Sequence, residues 1–379
     1  HVGTSFPPFA DLLQNQEKSR FRDWFVVRKF PVKVESNPNY EAWFGHASMP
    51  KLNMEHPDVR SHLLASVDFW HQNARLSGWR LDVANEVPMG FWREFRNRVK
   101  AADRDKWILG EVWTDARPWL GGDQWDASMN YPFRGAVLQF VAKGEIGPGK
   151  FLDQLFQAYH WYAPQVARNQ FNMISSHDTP RFITEAGGDE RLHRLAAVVQ
   201  FAWAGAPSVY YGEELGMQGG KDPDNRRAMA WDTVPGNAML AFYRRLIALR
   251  LGAPVLQSGD PVRLAAFEKQ KVAAFGRVLG EEAAVVAVNR SNQTQSVRIP
   301  IQALGEQAAG RLKSEGAVDM LSGKKLVANQ GFIDFRLSPF SSVVALTANV
   351  RHRQLAARLS QVGRPDLEQR KAILLKEAL

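Results

Sequence analysis

The sequence predicts an α/β chain in which a (β/α)-barrel segment is followed by an all-β sandwich. Three observations carry this reading. First, short apolar runs alternate with helical repeats as far as Leu251, a pattern that implies βα units and a parallel sheet. Second, three of those runs end on an acid, Asp82, Glu111 and Asp178. Barrel enzymes build their sites at the C-terminal ends of several different strands, which favours a barrel over a doubly wound open sheet. Third, the pattern after Leu251 turns into closely spaced strand-like runs divided by turns, as a sandwich requires.

Residues 1–60 read as an irregular excursion, with turn residues at Pro7-Pro8 and Asn37-Pro38-Asn39 and aromatics at Trp24, Phe25, Tyr40, Trp43 and Phe44. Asp58 to Ala74 has helical apolar spacing at Val59, Leu63, Val67 and Trp70. The barrel segment, 61–252, then offers strands at Gly78–Val83, Trp107–Val112, Phe171–Ile174 and Pro207–Gly212. Helices are expected around Phe91–Val99, Leu192–Trp203 and Leu240–Leu251. Gly252-Ala253-Pro254 marks the boundary to the sandwich, 253–348. Its strands are expected at 263–269, 271–277, 283–290, 295–300, 317–321, 331–336 and 342–346. Residues 349–379 read as a basic helical tail, an exposed helix or arm. At roughly 150 residues per domain, 379 residues suit two or three domains.

Composition narrows the function. The chain has no cysteine, which excludes a disulfide scaffold, a cysteine zinc site and a thiol nucleophile. Lys and Arg number 48 against 39 Asp and Glu, a net charge of +9. Nearly half of that excess lies after Thr347, and elsewhere no basic stripe is interleaved with stacking aromatics. Nucleic acid is therefore not an expected partner. Nor is a membrane, since no apolar run approaches the roughly 18–20 residues of a spanning helix. The cytoplasm is the favoured compartment.

The three acids suggest the chemistry. Arg80 precedes Asp82 by two residues, and in a strand residues i and i+2 point the same way. A cation beside a carboxylate keeps it ionised. Glu111 stands between Gly110 and the Val112-Trp113 pair, and an aromatic wall that desolvates a carboxyl raises its pKa, as a general acid needs. An ionised carboxylate facing a protonated one is the equipment of retaining glycoside hydrolysis. Twelve tryptophans suit a sugar enzyme, because the apolar CH faces of sugar rings stack on aromatics.

Several strings in order carry a family resemblance. They are Met49-Pro50-Lys51-Leu52-Asn53, Gly78-Trp79-Arg80-Leu81-Asp82-Val83-Ala84-Asn85-Glu86, Gly110-Glu111-Val112-Trp113 and Ser176-His177-Asp178. Gly205-Ala206-Pro207, Tyr210-Tyr211-Gly212-Glu213-Glu214 and Asp222-Pro223-Asp224-Asn225-Arg226-Arg227 follow. From His1 to about Thr347 the chain resembles the alpha-amylase family of glycoside hydrolases, in its neopullulanase, cyclomaltodextrinase and maltogenic amylase branch. The resemblance implies the C-terminal part of a (β/α)8 TIM barrel with a β-sandwich behind it.

It also implies roles. Asp82 is the expected nucleophile, Glu111 the acid/base and Asp178 the third carboxylate. Arg80, His177 and His1 are expected sugar ligands. Trp43, Phe44 and Trp113 are candidates for stacking on sugar, with Lys51 and Asn53 as further contacts. Glu86 either lines the acceptor side or caps its loop. Pro88-Met89 departs from the acid and histidine usual in this branch. The implied substrate is an α-glucan oligosaccharide such as a cyclodextrin, pullulan or a maltooligosaccharide, cleaved at α-1,4 or α-1,6 bonds, with transglycosylation as a second outcome. The alternative is an inactive remnant that only binds glucan.

The family's first three barrel strands would lie upstream of His1. The chain is therefore read as N-terminally truncated, its missing barrel half coming from upstream sequence or from another chain; a homo-oligomer is compatible. No cofactor is expected. Some relatives bind structural calcium, but the acidic loop Asp222-Pro223-Asp224 reads as salt-bridged.

Overall fold

The computed structural model describes residues 1–362 and divides into two units. One comprises His1–Glu111 with Pro118–Asp126; the other comprises Val112–Arg117 and the chain from Ala127 onward.

In the first unit, helix α1 (Pro7–Asn15) begins where a turn was expected. The prolines occupy its first turn, where their missing N–H has no helical partner to lose and their fixed φ suits the helix. Phe9 and Leu12 of α1 pack with Phe25, Val32 and Tyr40, so the excursion has an apolar core of its own. Isolated bridges Phe25–Leu52, Val27–Tyr40 and Ala42–Pro50 tie it together. Helix α2 (Pro57–Asn73) buries Val59, Leu64 and Val67, whereas Trp70 of the expected apolar face is half exposed. Strand β1 (Gly78–Leu81), helix α3 (Met89–Ala102) and strand β2 (Trp107–Gly110) form a βαβ unit. Helix α3 buries Phe91, Trp92, Phe95 and Val99, a run of i, i+4 spacings. The strands pair in parallel from Gly78–Trp107 to Leu81–Gly110.

The second unit opens with strand β3 (Ala127–Ser128) and helix α4 (Tyr131–Val137), capped by the Asn130 side chain accepting from Phe133 N. A π-helical stretch, Leu138–Lys143, extends α4. Helices α5 (Pro148–His160) and α6 (Pro164–Ala167) lead to strand β4 (Phe171–Met173). Helices α7 (Phe182–Glu185) and α8 (Glu190–Ala202) precede strand β5 (Ala206–Ser208), which runs parallel to β4. Helices α9 (Ala238–Gly252) and α10 (Pro254–Ser258) follow. Arg250 on α9, buried, donates to the carbonyls of Phe201, Trp203 and Gly205, closing the C-terminal end of α8. A cation there meets unsatisfied carbonyls and the negative end of the helix dipole.

The remaining strands are β6 (Asp260–Phe267), β7 (Val272–Leu279), β8 (Glu282–Asn289) and β9 (Gln295–Pro300). Helix α11 (Glu306–Glu315) intervenes before β10 (Ala317–Asp319), β11 (Lys325–Leu326), β12 (Ala328–Asn329), β13 (Phe332–Leu337) and β14 (Ser341–Thr347). They form an antiparallel six-stranded sheet, β11-β10-β14-β8-β7-β6, and a three-stranded sheet, β12-β13-β9. On β8, Val285 and Ala287 face the core shared with Val297, Ile299, Ile333 and Phe335. Val286 and Val288 face the core that holds α8 and α9. A strand buried on both faces reads as one apolar run, which explains Ala283–Val288.

The β-sandwich carries one helix besides its strands: α11 buries Ala308, Ala309 and Leu312. The beginning of the basic tail is a helix, α12 (Val350–Leu359), but not an exposed one on every face, since it buries His352, Leu355 and Leu359. Its cations hid an apolar stripe at three- and four-residue spacing. The rest of the tail expectation lies outside the described residues.

Candidate active site

Asp82 and Glu111 are the first residues beyond two paired parallel strands. Since Leu81 pairs with Gly110, they leave the sheet side by side, and Glu111 N donates to Leu81 O at 2.9 Å. Arg80 reaches both: its Nη1 lies 2.6 Å from Asp82 Oδ1 and its Nη2 2.5 Å from Glu111 Oε1. The two carboxyls differ in environment. The Glu111 side chain is 5% exposed, that of Asp82 59%.

The turn between Asp82 and the loop beyond is unusual. Val83 has φ 45° and ψ 41°, the left-handed region. A β-branched residue there is strained, and such strain gathers at functional sites. In this conformation the Val83 N–H points at Glu111 Oε2, 3.2 Å away. The strained turn thus supplies the buried carboxyl with a donor.

Gly110 explains how Glu111 is brought in. A Cβ at Gly110 would lie 2.3 Å from Cε3 of Trp125, a buried indole that stacks on Trp119. Only glycine lets the strand pass this ring. Gly110→Ala is expected to cost about 2–3 kcal/mol through overpacking, read as a lowered urea midpoint; wild-type stability would contradict this packing.

Beside the acids lies a cavity of about 360 Å³, a size that suits a small ligand. His1, Trp43, Lys51, Arg80, Asp82 and Glu86 line it, over a floor that includes Leu63, Val67 and Phe91. The His1 imidazole stacks on Trp43 at 5.4 Å. Lys51 and Glu86, 35 residues apart in sequence, form an ion pair at 3.0 Å. Phe44 is 77% exposed and meets Trp43 edge-on. Asn53 is occupied elsewhere: its Nδ2 donates to Asp23 O and its Oδ1 accepts from Glu55 N.

In the second unit, His177 and Asp178 sit on the loop after β4. His177 Nε2 lies 2.9 Å from Asp178 Oδ2. Arg226 Nη2 lies 3.1 Å from both Asp178 Oδ1 and Asp222 Oδ2. Asp224 accepts from Gly220 N and pairs with Arg227, so both acids of that loop have cationic partners. Trp113 lies flat on Tyr131, with centroids 3.9 Å apart and planes 12° apart, and remains half exposed. Arg226 was missed as a partner of Asp178; the only signal was its place in the Asp222–Arg227 string.

Beneath this loop, Glu213 is buried and accepts from Tyr210 N at 3.1 Å. Burial pushes its carboxyl up to about 8, against the pull of the Ser175 hydroxyl and the Tyr210 N–H. His193, bonded to Tyr243 Oη at 2.9 Å, is pushed down to about 4, again by burial. The folded Glu213 keeps a proton that the unfolded chain releases above 4.5, so its contribution to stability falls as pH rises from 4.5 to about 8. The unfolded His193 gains a proton below 6.5, so its contribution falls as pH drops from 6.5 to about 4. The two effects oppose each other at mildly acid pH, and of these two only Glu213 acts above 6.5. Between about pH 6.5 and about pH 8 wild type should lose about 2 kcal/mol relative to Glu213→Gln. Equal slopes in urea titrations of both proteins would contradict it.

No helix among the described residues is long and apolar enough to cross a membrane. The family model for the alpha-amylase catalytic domain matches residues 1–298, and that for the neopullulanase-like C-terminal domain matches 263–345. A cyclomaltodextrinase of Geobacillus thermopakistaniensis is 41% identical over 345 residues, 91% of this chain and 57% of that protein. Neopullulanase 2 of Thermoactinomyces vulgaris is 39% identical, over 91% of this chain and 58% of its own. The chain thus spans little more than half the length of these curated relatives. Among solved structures, a cyclomaltodextrinase superposes with a TM-score of 0.83 at 36% identity, covering 91% of this chain and 58% of its own. A protein of Thermus thermophilus gives 0.82 at 38% identity, covering 92% and 75%.

Proposed function

The chain belongs to the alpha-amylase family, and from that premise we propose that it provides the catalytic carboxyls of a retaining α-glucan hydrolase. Its substrates are cyclodextrins, pullulan or maltooligosaccharides, the class named by its cyclomaltodextrinase and neopullulanase relatives. The observation that carries this reading is Arg80 bonded to Asp82 and Glu111 at once. One guanidinium holding both carboxyls favours the short separation, about 5–5.5 Å, that double displacement uses.

In this mechanism an Asp82 oxygen attacks the anomeric carbon. The bond to the leaving sugar breaks as Glu111 gives its proton to the departing oxygen. Glu111, now ionised, takes a proton from water, whose oxygen attacks the same carbon and frees Asp82. An acceptor sugar in place of water gives transglycosylation. Asp82, 59% exposed, is open to an incoming sugar, and Glu111, 5% exposed, is held beside it by the same guanidinium. Asp178 serves as the third carboxylate, binding sugar hydroxyls and favouring the cationic transition state. His1, Trp43, Trp113 and His177 serve as sugar contacts. Two carboxyls complete this cycle without a cofactor.

The test is release of reducing sugar from cyclodextrin and pullulan by the chain and by an upstream-extended version. Silence from both overturns the proposal. Calorimetric binding of maltooligosaccharide without cleavage would favour the remnant that only binds glucan.

A further inference from the structure

We propose that Asn225 is a positioning residue that holds Asp178 in its working conformation. Asn225 is fully buried. Its Nδ2 donates to His177 O at 2.7 Å and to Thr179 O at 2.9 Å, with Ser176 O at 3.5 Å. One amide group therefore fixes the peptide plane that enters Asp178 and the plane that leaves Thr179. The Asp178 N–H, in the first of those planes, donates to Ser176 Oγ at 3.2 Å. The next residue, Arg226, takes the Asp178 carboxylate itself. The dipeptide Asn225-Arg226 thus grips Asp178 by backbone and side chain together.

The clamp is itself anchored. Arg181 Nε donates to Asn225 O at 3.1 Å, and the Arg181 guanidinium stacks on Tyr210 and Tyr211. Gly219 passes so close that a Cβ there would lie 2.8 Å from Asn225 Cα. The Thr179 carbonyl, whose bond to Asn225 is buried, has no water to turn to when it loses its donor, so removing the amide loosens the turn. Only the consequence for turnover rests on the role assigned to Asp178 above.

Three proteins test this in the full gene product: Asn225→Ala, Asp178→Asn and the double variant. Asn225→Ala should lower kcat on maltotriose about 100-fold, the cost of displacing a reacting group by about an ångström, with KM within about threefold. The double variant should lose little more than Asp178→Asn alone, since residues acting as a unit are not additive. Peptide-level hydrogen exchange over residues 175–180 should quicken at least about tenfold, while β8 is unchanged. Additive losses, or exchange rising equally in β8, would overturn the clamp. So would unchanged exchange and turnover. Should wild type cleave no glucan, the hydrolase reading fails, and the exchange comparison still decides the clamp. If Asn225→Ala does not fold, Asn225→Ser, which keeps a donor, is measured in its place.

Discussion

Asp82→Asn is expected to lower kcat on maltooligosaccharides by at least about 10⁴-fold, the scale on which losing a covalent nucleophile acts. The carboxamide keeps the shape of the side chain and can still meet Arg80, but it cannot form the glucosyl ester. The fold should be indifferent. The side chain is 59% exposed and its pair with Arg80 faces solvent, and such pairs contribute at most about 1 kcal/mol. A melting temperature within a few degrees of wild type, measured beside the kinetics, separates chemistry from folding. Turnover within tenfold of wild type would remove Asp82 from the nucleophile's place.

Glu111→Gln carries the second large effect, and it should depend on the leaving group. On maltotriose the loss should be about 10³-fold or more, because a sugar oxygen must be protonated as it leaves. On a glucosyl fluoride, whose leaving group needs little protonation, the first step is spared. Water is then no longer activated, so the second step stalls and a burst of fluoride precedes slow turnover. Glutamine retains an oxygen to accept the Val83 N–H, 3.2 Å from Glu111 Oε2 in wild type, so the strained turn keeps its partner. A first step slowed equally on both substrates, with no burst of fluoride, would show that Glu111 acts on something other than the leaving oxygen.

How much of this could be read from the letters depends on the range of each interaction. The strand ends bearing Asp82 and Glu111, and the side-by-side placing of Arg80 and Asp82, follow from two-residue periodicity. That Arg80 also reaches Glu111 follows from the parallel register Leu81–Gly110, and register between strands well separated in the chain is not written in either one. The left-handed Val83 is contrary to what a β-branched residue prefers, so no propensity argument finds it. The pairs Lys51–Glu86 and Arg226–Asp178 depend on loops meeting in space. The same holds for Asn53, read as a sugar contact but used to fasten its own loop. Pro7 and Pro8 show the opposite failure. They were legible as punctuation, but the same prolines suit the first turn of a helix, and only the burial of Phe9 and Leu12 decides between the two.

The proposed double displacement passes through a covalent bond between glucose and one particular oxygen. Incubating Glu111→Gln with glucosyl fluoride, quenching in acid and mapping the peptides by mass spectrometry observes that bond directly. A single glucosyl unit on the peptide from Gly78 to Glu86, localised to Asp82, is the predicted result. A glucosyl unit on any other carboxylate, or rapid fluoride release with no adduct on any peptide, would contradict it.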